Sequence, residues 1–254
     1  MHYTPPLHTQ FIGHHIIHEA TCASTNTLAA QRLHEEALPA GTVVIADHQY
    51  QGRGQRGHSW YSEPYKNLTF SVVIYPTFLA ASQSFFLNII TTLALRQVLA
   101  AYVSNDLTIK WPNDLYFQDQ KLSGILIEST VEQQHLKASV IGIGLNVNQT
   151  HFDVKGSTSL ACICGRSFDL QLILAELLEA LERNYSQLKT QGVEQLKSAY
   201  LEHMYWIGEP HTFQDATHRF QGAIKGIDAT GRLAIELPKG NVRHYDVKEV
   251  TFVA

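Results

Sequence analysis

Gln49-Tyr50-Gln51-Gly52-Arg53-Gly54-Gln55-Arg56-Gly57-His58-Ser59-Trp60 follows directly on the apolar run Thr42-Val43-Val44-Ile45-Ala46-Asp47, and what comes after it decides the fold. The segment carries three glycines and two arginines within six residues. Glycine admits φ > 0 and leaves its backbone N–H uncovered, and arginine offers a permanently charged fork matched to carboxylate and phosphate oxygens. Together they predict a mobile strand-end loop that closes over an anion. The spacing also reads Gly-x-Gly-x-x-Gly, the pattern of a dinucleotide site. In that fold the third glycine opens a helix whose N-terminus holds the pyrophosphate. Here Tyr61 to Asn67, with Pro64, reads as loop and Leu68 to Tyr75 as a strand, which excludes it. A kinase glycine loop is excluded as well, since neither His-Arg-Asp nor Asp-Phe-Gly occurs.

The whole chain sets wider bounds. Its 254 residues can bury a sizeable core, and 44% hydrophobic with 17% charged residues is ordinary globular composition. A formal net charge of -4 provides no basic field for nucleic acid. Cys22, Cys162 and Cys164 form neither a disulfide framework nor a zinc pattern, so they read as reduced thiols of a cytoplasmic protein. No apolar run reaches the roughly 18 residues of a membrane span, and Met1 to Pro6 lacks the pattern of a secretory signal. His14, His15 and His18 cluster without acidic or thiol companions, so no metal site is expected.

Along the chain, Ile12 to Glu19 reads as a strand leading to Ser24-Thr25-Asn26. These residues suit a cap for the helix Asn26 to Glu36, and a helix N-terminus can also meet a polar ligand. Phe85 to Tyr102 reads as a buried helix. Leu107 to Tyr116 alternates as a strand interrupted at Pro112, which marks an edge or a bulge and aims Asn113 and Asp114 out of the sheet. A turn at Phe117 to Gln120 leads into the return strand Lys121 to Glu128, and Lys137 to Asn148 follows as another strand. Gly142 and Gly144 within that last strand are open to two readings, tight packing between strands or close approach of a ligand. A helix from Asp169 carries Leu170, Ile173, Leu174, Leu177, Leu178, Leu181, Tyr185 and Leu188 on one face, and a second runs from Val193 to His203. From Pro210 the pattern changes to short strands broken by turns such as Asp228-Ala229-Thr230-Gly231, a small β module beginning near residue 205.

Four segments in register, Ser24-Thr25-Asn26, Gln49-x-x-Gly-Arg-Gly, Lys110-Trp-Pro-Asn-Asp-Leu-Tyr with Lys121-Leu-Ser-Gly-Ile-Leu-Ile-Glu, and Ile141-Gly-Ile-Gly-Leu-Asn-Val-Asn, closely resemble the biotin protein ligases over most of residues 20–150. The resemblance implies an α+β fold, a mixed sheet packed with helices as in class II synthetases and biotin–lipoate ligases, over residues 1–204. A small SH3-like β-barrel would occupy 205–254. It implies activation of biotin by ATP and Mg²⁺ to biotinyl-adenylate, then transfer to a lysine of the biotin carboxyl carrier domain of a carboxylase. By position, Ser24, Thr25, Asn26, Gln49, Arg53, Gly54, Gln55, Lys121, Gly124, Gly142 and Gly144 would bind biotin. Arg53, Arg56, Trp60, Asn113, Lys121 and Asn146 would bind ATP. Lys121, Arg53 and Asp114 would serve catalysis, Asp114 orienting or deprotonating the incoming lysine.

Two departures follow from the same resemblance. Gln55 and His58 stand where well-known members carry arginines, which predicts a looser hold on the adenylate. Only about twenty residues precede Ser24, too few for the DNA-binding domain of the repressor members, so a ligase without DNA binding, monomer or homodimer, is expected. The rivals are a lipoate ligase, whose Arg-Arg-x-x-Gly-Gly-Gly loop is missing, and a non-catalytic biotin-binding module.

Overall fold

The computed structural model describes residues 3–103 and 106–253, with the backbone but not the side chain of Arg56. A seven-stranded mixed sheet is built from β1 (Ile16–Glu19), β2 (Val43–Ala46), β3 (Leu68–Ile74), β4 (Leu107–Lys110), β5 (Asp114–Phe117), β6 (Gln120–Glu132) and β7 (His135–Leu145). Its order is β1-β2-β3-β7-β6-β5-β4, with β1 parallel to β2 and the remaining neighbours antiparallel.

Period-two alternation divides the central strands between two faces. Leu68, Phe70, Val72 and Ile74 of β3 and Ile141, Ile143 and Leu145 of β7 enter the main core. There they join α2 (Phe85–Leu99), α4 (Leu170–Gln191) and α5 (Glu194–Glu202). The fully buried leucines of α2 and α4 each contribute about 1.5–3 kcal/mol. Asp169 fixes where α4 starts by accepting the N–H groups of Gln171 and Leu172 at 2.8 and 3.3 Å. On the other face Val44, Val73 and Val140 pack with Ala29 of α1 (Thr25–Glu35). This smaller helix leaves the rest of that face uncovered, and the site forms there.

Three expectations change. The first strand starts at Ile16, because the N–H groups of Gln10, Phe11 and Ile12 all go to the Glu182 carboxylate and Gly13 turns the chain at φ +82°. Pro112 sits in neither an edge strand nor a bulge. The register Lys110↔Asp114 makes Trp111-Pro112-Asn113 a chain reversal between two antiparallel strands, with a cis Trp111–Pro112 bond. A short helix without apolar periodicity, α3 (Leu160–Cys164), is additional and is capped by Ser159 Oγ accepting from Cys162 N.

The C-terminal strands β8 (Pro210–Gln214), β9 (Arg219–Ile227), β10 (Leu233–Glu236), β11 (Val242–Tyr245) and β12 (Thr251–Val253) form an antiparallel sheet ordered β11-β10-β9-β8-β12, compatible with an SH3-like module. Its interior residues Phe213, Ile224, Leu233 and Ile235 belong to the same apolar cluster as the main core. Trp111 Nε1 donates to Gly231 O at 2.9 Å, and the chain entering the module runs along β4, with Tyr205 N bonded to Ile109 O. That segment covers the β4 edge, which would otherwise present unpaired backbone groups.

Candidate active site

The antiparallel register lays the site out in rows. Thr69, Gly144, Gly124 and Asp114 are successive cross-strand partners on β3, β7, β6 and β5. Ser71, Gly142 and Leu126 form the next row. Cross-strand partners share a face, and here it is the face carrying α1. Ser71 Oγ donates to Asn26 Oδ1 at 2.7 Å and lies 2.8 Å from Thr25 Oγ1. The N-terminus of α1 is thereby anchored to the sheet, while Ser24 stands at its cap position without a side-chain capping bond.

Glycine in the middle rows leaves a trough. A Cβ on Gly142 would overlap the Asn26 carboxamide, and one on Gly144 would overlap the Trp60 indole. On Gly124 it would stand 3.1 Å from Lys121 Nζ and 3.2 Å from the Trp60 ring. The open question about these glycines therefore has a specific answer. They make room for the side chains that build the site.

The glycine–arginine segment is a small hairpin over this trough. Arg53 pairs with Ser59 in an antiparallel bridge, Gly54 N bonds to His58 O at 2.7 Å, and Gln55–Gly57 is a single 3₁₀ turn. Gln49, at its base, accepts the Thr25 N–H through Oε1 at 2.7 Å. Trp60 closes the hairpin, with its N–H on Gly52 O and its ring over the glycines. The indole Nε1 is buried and has no partner among the described residues. A buried donor left unmet is costly, so it is available to a ligand acceptor.

Lys121 reaches the trough because β6 carries one extra residue. Leu115 pairs with Ser123 and Tyr116 with Lys121, so Leu122 is skipped. Such a bulge re-aims a side chain, and Lys121 Nζ meets Asp114 Oδ1 at 2.7 Å. Its backbone is clamped by Gly156 O and Thr158 N. Lys121 also lies 5.8 Å from the centre of the Trp60 ring.

These residues line a narrow cavity of about 50 Å³. Ser24, Thr25, Asn26, Gln49, Arg53, Gly54, Gln55, Trp60, Asn113, Asp114, Lys121, Gly124, Gly142 and Gly144 all line it. A wider cavity of about 410 Å³ adjoins it, sharing Gly54, Gln55, Trp60, Asn113, Asp114 and Lys121, and reaching Lys110, Tyr116 and Phe252. The Lys110 amine stands 4.5 Å from the Tyr116 ring centre and 5.3 Å from that of Phe252. Burial, then the nearby Lys121 charge, lowers its pKa against the opposing pull of Asp114. Burial and then Asp114 push the Tyr116 hydroxyl up to about 12, so it is a neutral donor at physiological pH. A narrow chamber thus opens into a larger one, with a lysine–aspartate pair among the residues they share. That arrangement can hold two ligands with their reacting ends together.

One expected residue does not line either cavity. Asn146 is buried behind the wall, its Nδ2 donating to Thr158 O at 3.0 Å, so it touches the segment that clamps Lys121 rather than the cavity. The Arg56 side chain lies outside the described residues. Sequence reasoning missed Ser71 and Glu128. A buried serine at the centre of the strand Leu-Thr-Phe-Ser-Val-Val-Ile signals the first. Glu128, sharing the face of Gly124 and Leu126, hydrogen-bonds Asn26 and pairs with Arg53. Among the described residues no group of three or more His, Cys, Asp or Glu could hold a metal, and no helix is long and apolar enough to cross a membrane. His14, His15 and His18 each contact a different partner: Thr9 O, Thr42 Oγ1 and Asp47 Oδ2.

Comparison with known proteins bears on the same residues. The family model described as biotin/lipoate A/B protein ligase family matches residues 19–146, which carry every residue named above as lining the smaller cavity. The chain is 32% identical over 213 residues to the biotin–[acetyl-CoA-carboxylase] ligase of Paracoccus denitrificans, covering 80% of this chain and 87% of that one. It is 29% identical over 244 residues to the bifunctional ligase/repressor BirA of Bacillus subtilis (strain 168), covering 94% of this chain and 74% of that protein. Among solved structures it is similar to biotin protein ligase from Aquifex aeolicus in complex with biotin and ATP. The TM-score is 0.77 at 27% identity, covering 93% of this chain and 97% of that one. A match spanning β2 to β7, the hairpin and both glycine rows, together with that 32% identity, places the protein: the chain belongs to the biotin/lipoate A/B protein ligase family.

Proposed function

We propose that this chain is an ATP-dependent biotin protein ligase. Its relatives named as biotin–[acetyl-CoA-carboxylase] ligases, and the Aquifex aeolicus structure with biotin and ATP, support biotin and ATP as the substrates. The observation that carries the reading is that Lys121 and Arg53 line one cavity together with Thr25, Asn26 and Gln49. Biotin's polar groups meet those amides and hydroxyls. Its carboxylate lies toward Lys121, and the nucleotide enters from the wider cavity beside Trp60 and Asn113. A carboxylate oxygen attacks the α-phosphorus of ATP, the bond to the bridging oxygen breaks, and pyrophosphate leaves. Lys121 and Arg53 stabilise the oxygens that gain charge. Mg²⁺ belongs to this reaction as part of the nucleotide substrate, where it neutralises phosphate oxygens.

In the second step a carrier lysine amine attacks the acyl carbon and AMP departs with its phosphate oxygen. Asp114, at the junction of the cavities, orients that amine or takes its proton. The hairpin excludes water from the acyl-adenylate. The carrier is the biotin carboxyl carrier domain of a carboxylase, in the cytoplasm, and the chain divides into a catalytic part to residue 204 and a β module from 205.

Pyrophosphate–ATP exchange measured with biotin, with lipoate and with neither tests the reading. Exchange driven by biotin alone is expected. Exchange driven by lipoate makes this a lipoate ligase, and none with either leaves a binding module.

A further inference from the structure

Glu128 stands on the trough face of β6, two residues past Leu126 and opposite Val140. The reaction as described does not employ it. Its Oε2 accepts a hydrogen bond from Asn26 Nδ2 at 2.9 Å and pairs with the Arg53 guanidinium. These partners come from two separate segments, Asn26 from the start of α1 and Arg53 from the hairpin.

Asn26 also donates to Leu126 O at 3.1 Å and accepts from Ser71 Oγ. Among the described residues, the hairpin's backbone bonds between Gly52 and Trp60 are internal to it. Among the described residues, Arg53 supplies the hairpin's one side-chain hydrogen bond to the sheet. Both members of the pair remain substantially exposed, Arg53 at 44% and Glu128 at 41%. Such a pair is weak and exchangeable. A substrate carboxylate or phosphate presents the guanidinium with the same kind of oxygen that Glu128 does. Arg53 can therefore pass from one to the other without loss of a partner.

We propose that Glu128 is a positioning residue, which holds Arg53 beside Asn26 and so orders the hairpin over the cavity before substrate is engaged. Less ordering then remains to be done on binding. The inference rests on the ligase reading only for the identity of the anion that receives Arg53.

Glu128→Gln tests it, because glutamine keeps an oxygen for Asn26 and removes the charge facing Arg53. Without added biotin or nucleotide, tryptic cleavage after Arg53 or Arg56 should become several-fold faster in the variant, with an unchanged thermal midpoint. In the exchange assay the KM for biotin should rise about three- to tenfold with kcat nearly constant, as expected for a group that does not touch the reacting atoms. In an Arg53→Ala background, Glu128→Gln should not further change the rate of cleavage after Arg56. Cleavage at the wild-type rate overturns the proposal. So does an undiminished effect in the Arg53→Ala background, which would route the influence through Asn26. If exchange fails in the wild type while the cleavage difference persists, the ligase reading falls and the ordering role of Glu128 stands.

Discussion

Lys121 depends on a single unpaired residue of β6. Without the skip at Leu122, alternation would turn its amine to the opposite face, away from Asp114 and Gly124. Lys121→Ala should reduce biotin-dependent exchange about 10²- to 10³-fold, the loss expected when one preorganised donor to a charged transition state is removed. A rate unchanged in the variant would take Lys121 out of the chemistry. Gln55 lines the same cavity, at a position where the family resemblance leads one to expect arginine. Gln55→Arg adds a charged donor, worth about 1.5–3 kcal/mol when well placed. It should cut release of free biotinyl-adenylate in the absence of acceptor about tenfold. Equal release from both proteins would refute it. Cys22, beside Gln49 at the hairpin base, has its thiol pushed up to about 11 by burial and then by Glu19. The thiolate is the reactive form, so iodoacetamide at pH 8 should label exposed Cys162 well before Cys22 in peptide maps.

At the scale of elements, the strands were legible because alternation and length survive in one dimension. Leu68 to Tyr75 and Lys137 to Asn148 were expected close to where β3 and β7 run. The reversal at Trp111-Pro112-Asn113 was not legible as such, since a proline interrupts a strand whether the chain continues or turns back. The glycines of β7 show the same limit. Their sequence says that something approaches closely, and only the folded trough names Asn26 and Trp60 as what approaches. Gly144→Ala should therefore act through the Trp60 ring. Overpacking of this kind costs about 1–3 kcal/mol, so the affinity for nucleotide should fall about tenfold or more, with a shift in tryptophan emission. Unchanged emission with weakened binding would point to direct contact with the ligand instead.

Over the whole molecule, the β module and the main sheet share one apolar core, joined where the turn Asp228–Gly231 meets Phe85 and Trp111. Gly231 has φ +89°, and a Cβ there would enter the Phe85 ring. Asp228 shapes the turn by accepting from Thr230 N, Thr230 Oγ1, Arg232 N and Arg232 Nε. Burial raises its pKa, and these hydrogen bonds more than offset that, holding the carboxyl well below the usual range. For a depressed carboxyl pKa, the stabilisation is complete above the unfolded value of about 4 and is lost as pH falls through the folded value. Asp228→Ala should cost about 1 kcal/mol or more at pH 7. The gap in thermal midpoint from wild type should narrow steadily below pH 4. A gap independent of pH would show that the turn does not depend on the carboxylate charge.

Residue types and their order determined the strands, the amphipathic α4, the small β module and the set of polar residues gathered near the cavity. These rest on periodicity, turn chemistry and motif spacing, which are local properties of the chain. Tertiary structure decided which side chains meet. Register put Gly144 opposite Gly124, the β6 bulge turned Lys121 toward Asp114, and Asn146 was left behind the wall. It also brought Glu128, unremarkable in sequence, between α1 and the hairpin. Those pairings join residues as far apart as Arg53 and Glu128, whose meeting is set by the sheet's register and by nothing in their own neighbourhoods.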